Sequence, residues 1–178
     1  MKYISFPITA LVTALTVSAC SEELPEDYDR VVSSTLLNFT WTTDCIADGE
    51  DSYIPTLAFS SDGGENYDSG TATATNIYYR GSTTCVSSVV ETLNISTFSY
   101  RLGAYVTVDG TVDELTEAME IDTVNTTEGS ADIGAEEYDI FAVKDRYTLY
   151  FGDKTDPTNG STADLRPTQL SDDVVYTR

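Results

Sequence analysis

The chain has 178 residues, nine basic and thirty acidic side chains and no histidine, for a formal net charge of −21. A surface this negative repels nucleic acid and anionic lipid headgroups, so neither is an expected partner. Without histidine, Ser-His and Cys-His nucleophiles lose their base, which leaves a lysine or a carboxylate pair as the only routes to catalysis.

Residues 1–19 form the first predicted element. Lys2 supplies a positive charge, Phe6 to Val17 are apolar residues and threonines, and Val17-Ser18-Ala19 end the segment with small side chains before Cys20. A charged start, an apolar middle and a small-residue cleavage site describe a secretory signal peptide. The apolar stretch is too short, and too rich in Thr and Ser, to span roughly 30 Å of hydrocarbon. Cysteine directly after the cleavage site resembles the lipobox of bacterial lipoproteins, and the resemblance covers residues 1–21. It implies that Cys20 is the lipidated N-terminus of the mature protein, with acyl chains such as palmitate holding it to the membrane. Ser21 after the cysteine, rather than Asp, resembles the pattern sent to the outer membrane of Gram-negative bacteria. Residues 20–33 are acidic and contain Pro25, and a flexible tether of that length spans about 20 Å root-mean-square.

From residue 34 to 178 a single β-rich domain is expected. Leu37, Phe39 and Trp41 alternate with Asn38, Thr40 and Thr42, giving one apolar face. Further strands are expected at Tyr53–Ser60, Ala72–Arg80, Val86–Leu93, Ile95–Arg101, Ala104–Val108, Ala118–Val124, Tyr138–Val143, Arg146–Phe151 and Val174–Thr177, with turns at Asp62-Gly63-Gly64, Asp109-Gly110 and Lys144-Asp145. Asp113 to Met119 favours a short turn of helix at most. About ten short strands joined mainly by short links predict an all-β fold, an antiparallel up-and-down barrel of about 8–10 strands, with a β-sandwich as the alternative. Arg166-Pro167 reads as an extended dipeptide, and Arg166 should find a carboxylate or aromatic partner.

A lone tryptophan on the first strand with an arginine near the chain end resembles the calycin group of lipocalins and avidins. That resemblance implies a barrel in which an indole packs under a cation where the ends meet. Trp41 would be the indole and Arg166 or Arg178 the cation, with Trp41 and Arg166 taken as the candidate barrel-closing pair.

With Cys20 acylated, Cys45 and Cys85 remain as a pair in an oxidising compartment, where a disulfide is expected. The bridge would contribute up to ~4 kcal/mol by loop closure. A metal site is the rival reading, but only these two thiols are spare. The loops Asp44–Asp51, Asp62–Asp68 and Asp153–Asp164 offer calcium weak sites at most, because none has the full order of an EF-hand. No other cofactor is expected.

Twelve tyrosines and six phenylalanines fall largely on candidate strands, so one member of Tyr78/Tyr79 and of Tyr147/Tyr150 should face inward. Aromatic walls suit a small apolar or amphipathic ligand. The expectation is therefore a non-catalytic envelope lipoprotein, facing the periplasm or the cell surface, whose barrel binds such a ligand. The alternatives are a module that contacts another envelope protein and, further behind, a carboxylate-based hydrolase.

Overall fold

The structure, a computed structural model, describes residues 35, 37–63, 68–155 and 157–178. The predicted signal peptide, Cys20 and the tether at 20–33 lie outside the described residues.

Nine strands follow in chain order: β1 (Thr40–Thr42), β2 (Ile46–Asp48), β3 (Asp51–Ser61), β4 (Ser69–Tyr79), β5 (Val90–Val112), β6 (Leu115–Asn125), β7 (Glu136–Lys144), β8 (Thr148–Phe151) and β9 (Tyr176–Thr177). Consecutive strands from β3 to β9 pair as antiparallel neighbours. β9 then pairs with β1 and β1 with β3, which closes eight strands into a barrel. The fold is a closed antiparallel barrel rather than a sandwich.

β2 is a continuation of β1 along the same edge of β3, since Thr42 faces Thr56 and Ile46 faces Tyr53. The interruption has a local cause. Thr43 N–H donates to Pro55 O at 3.1 Å, but the proline nitrogen has no hydrogen to return, so the ladder lapses there. Cys45, in that lapse, is bonded to Cys85 in the β4–β5 loop, with Cα atoms 5.9 Å apart.

Three expectations are corrected. The segments 86–93, 95–101 and 104–108 belong to the β4–β5 loop and to one 23-residue strand, β5, whose register shifts between Leu102 and Tyr105. At that shift a Cβ on Gly103 would lie 2.8 Å from Glu120 Cβ, and Glu120 Oε2 accepts from Ala104 N–H at 3.2 Å. A glycine bulge bends the strand where the sequence reads as a break. The expected turn at Asp109-Gly110 lies within β5, which runs on to Val112. The expected helical turn after Asp113 is instead a two-residue hairpin, with φ of 53° at Asp113 and 69° at Glu114. Asp145 and Arg146 repeat that geometry between β7 and β8, with φ of 52° and 66°. The two hairpins are tied together, because Lys144 Nζ lies 2.5 Å from Asp113 Oδ1 and Tyr150 Oη donates to Asp113 Oδ2 at 2.9 Å. The Lys144 ammonium, with the Tyr150 hydroxyl, holds the Asp113 carboxyl below its ordinary range.

Two apolar clusters result. The barrel interior holds Leu37, Trp41, Phe59, Tyr100, Leu102, Met119, Ile121, Phe141 and Leu149. A second cluster lies on the other face of the wall, around Val108, Ala118, Ile140, Ala142 and Tyr150, and Leu170 from the β8–β9 connection covers it. Residues 152–175 are therefore a strap over the outer wall as well as a link.

Candidate functional site

Alternation places Phe141 and Leu149 inward and Ile140 and Tyr150 outward. The barrel's two ends then differ sharply. At the end where β1 enters and the β7–β8 hairpin turns, Leu37 and Trp41 are fully buried, and the indole Nε1–H donates to Leu37 O at 3.0 Å. The Arg178 guanidinium lies 5.2 Å from the Trp41 ring, 3.7 Å from Phe39 and 5.9 Å from Tyr147. Its Nε–H donates to Arg146 O. This end is closed.

Arg178, not Arg166, is therefore the cation over Trp41. Arg166 sits on the outer wall, where Nη2 bonds Asp122 Oδ1 at 2.6 Å, Nη1 donates to Asp139 O at 2.8 Å, and Nε lies 3.4 Å from Glu120 Oε1. Its guanidinium also covers the Tyr138 ring at 5.5 Å. The outward parity of Glu120, Asp122 and Tyr138 is the reason. Those side chains present a polar socket to the strap, and Arg166 fills it.

The opposite end is hollow. A cavity of about 740 Å³ opens between the β6–β7 and β8–β9 connections. Its depth is apolar, lined by Leu57, Phe59, Phe98, Ile121, Phe151 and Tyr176. The Phe151 and Tyr176 rings meet edge to face at 5.9 Å. Its rim is acidic, with Asp132, Glu136 and Glu137 exposed and Asp139 buried below them.

Asp139 has the inward parity of Phe141, a carboxylate where the strand pattern calls for an apolar residue. It is satisfied by three donors: Ile140 N–H at 2.7 Å, Gly152 N–H at 3.0 Å, and Lys154 Nζ at 2.8 Å. Burial pushes the carboxyl above its ordinary range despite Lys154. The same burial works against the Lys154 ammonium, but Asp139 and Glu137 outweigh it and raise that group. Lys154 bridges Glu137 and Asp139, and its charge is committed within the rim. Glu136 accepts from Tyr138 Oη at 2.5 Å, which raises the phenol. Burial raises the Tyr176 phenol, and Lys154 partly offsets it.

Sequence reasoning did not single out Glu136, Glu137 or Asp139. The available signal was Asp139 itself, a charge at an inward position of Tyr138-Asp139-Ile140-Phe141. Of the expected calcium loops, Asp51 is bound to Arg80 at 2.7 Å and to Gly81 N–H. Asp153 and Asn159 cap their own turns. Among the described residues no group of three or more Cys, Asp or Glu is arranged to hold a metal ion. Of the tyrosine pairs, Tyr78 stacks on Tyr53 at 5.2 Å, Tyr150 packs on the outer wall and Tyr147 is exposed beside Arg178. Neither Tyr147 nor Tyr150 lines the cavity, contrary to expectation. The chain matches no family model, no curated protein and no solved structure.

Proposed function

We propose that this protein is a lipid-anchored envelope lipoprotein whose barrel binds one small apolar or amphipathic ligand without chemical turnover. One observation carries the binding reading. The cavity of about 740 Å³ has the size and apolar lining of small-molecule sites, and it lies in a barrel sealed at its other end. The seal supports a calycin-like relationship, with Arg178 in the role of the cation over the indole. The anchor rests on the residue order around Cys20, and the outer membrane is the proposed location. A binding role fits the rim better than hydrolysis does, because Asp139 and Glu137 are tied to Lys154.

Native mass spectrometry of the protein purified from its own host should show a co-purified mass. That mass should vanish in Ser96→Phe, which adds a ring to the cavity wall. A wild-type protein that emerges empty and binds no apolar probe would end the reading. Fatty-acid analogue labelling that persists in Cys20→Ser would refute the anchor.

A second reading has its own observation. Val86, Val89, Val90 and Ile95 are all more than half exposed on the β4–β5 loop and the start of β5, an apolar strip suited to an envelope protein partner. A photocrosslinker at Val89 should then capture one discrete partner in cells. Failure to crosslink any partner would remove this alternative.

A further inference from the structure

Building on the cavity reading, we propose that the ligand is an amphipathic cation, an amine with an alkyl or aryl body, and not a fatty acid. The cavity wall contributes four carboxylates, Asp132, Glu136, Glu137 and Asp139, against a single ammonium on Lys154. Among the described residues no other basic side chain lines it.

Lys154 cannot serve as the receptor for an anionic head. Its Nζ already bridges Asp139 and Glu137, so an incoming carboxylate would have to displace one of them and leave that group unpaired. An ammonium faces no such exchange. Asp132 and Glu136 are exposed among the residues that line the lip, and Glu136, although it accepts from Tyr138 Oη, keeps a carboxylate's capacity for further donors. A cation seated there replaces water with charge-assisted bonds. The chain's overall excess of acidic residues adds a field of the same sign. Below the lip, Leu57, Phe98, Ile121 and Phe151 offer the apolar body a surface that no water can satisfy. The geometry thus pairs an apolar depth with a carboxylate lip, the complement of a one-headed amine.

The test is calorimetric titration of the intact domain with octylamine, 1-octanol, octanoate and ethylamine. Octylamine should bind with a stoichiometry of one, about tenfold tighter than octanol, since one or two carboxylates near the head group contribute on that scale at an exposed rim. Octanoate should bind most weakly, and ethylamine, which has the charge without the chain, should not saturate a site. The preference for amine over alcohol should shrink with added salt. It should fall to within about twofold in the Asp132→Asn/Glu136→Gln protein, while octanol affinity holds.

If octylamine binds no better than octanol, or the double variant leaves the preference intact, the cationic assignment is wrong and the cavity reading survives. If none of the eight-carbon probes binds, the cavity reading fails with it. The same holds if Ser96→Phe and, independently, Thr123→Phe leave octanol binding unchanged.

Discussion

Gly152→Ala tests the packing at the base of the cavity. A Cβ at this position would lie 2.5 Å from Asp139 Oδ1 and 2.7 Å from Pro167 Cγ. Neither neighbour can yield easily, because the carboxylate is held by Lys154 and two backbone N–H groups, and the proline is a ring in the strap. Gly152 does not have a positive φ, so the expected cost is steric rather than conformational. Overpacking of this kind costs about 1–3 kcal/mol, and the fixed neighbours place this site at about 2–3. For a chain of this size that lowers Tm by roughly 4–12 °C. Urea unfolding should show a lower midpoint with an unchanged slope. Gly49→Ala is the control, since its Cβ meets nothing within 4 Å and its φ is +64°, leaving about 1 kcal/mol of left-handed strain. A Gly152→Ala protein no less stable than Gly49→Ala would show that Asp139 and Pro167 are not held as described.

Arg166→Ala should cost about 2–3 kcal/mol, because Asp122 and two carbonyls lose a charged donor at a site only 14% exposed. Arg166→Lys should recover less than half of that, for lack of the planar fork, and hydrogen exchange should quicken in residues 163–175 of the alanine variant. Reducing the Cys45–Cys85 bridge should destabilise by up to ~4 kcal/mol, read as a drop in urea midpoint with dithiothreitol that Cys45→Ala/Cys85→Ala reproduces without it. Tyr100 supplies a pH signature. Its hydroxyl has no partner among the described residues, and burial, with a smaller effect from Asp62, pushes the phenol up to about 12. A raised phenol contributes stability that is complete below its unfolded pKa of about 10 and is lost as pH rises through about 12. Tyr100→Phe should therefore flatten the alkaline limb between those values. At pH 7 it should stabilise by up to about 1 kcal/mol, and a loss of more than that in urea would mean the hydroxyl is bonded.

Much of the barrel is legible in the sequence because period-two alternation survives wherever a wall has water on one side. β3, β4, β6 and β7 lie close to their expected positions, and the pairing of Cys45 with Cys85 follows from counting. The errors concentrate where a local rule is overridden. β5 reads as three pieces because Asn94 and Gly103 look like breaks, whereas a closing barrel needs a strand that bends. Asp113-Glu114 reads as helix because those residues seldom adopt positive φ, and the structure secures them through Lys144 and Tyr150. The sequence favours Arg166 over Arg178 as the cation over Trp41, and the structure reverses that choice. The choice between them depended on the strap's path across the outer wall, which no periodicity records. The acidic rim was hidden for a related reason: thirty acidic residues obscure the four that line the cavity.

The barrel's eighth pairing has a consequence for folding and for access. β1 and β9 meet through one register pair, Thr42 with Thr177, where each threonine hydroxyl also donates to the other's carbonyl. These residues are 135 positions apart in the chain, so this contact carries the largest loop-closure entropy and belongs among the last to form. The wall is thus a curled sheet fastened along a narrow seam. Transient parting there would expose the interior along its side while the strap and the disulfide keep the rest in place. A disulfide placed across Thr42 and Thr177 would fasten that seam.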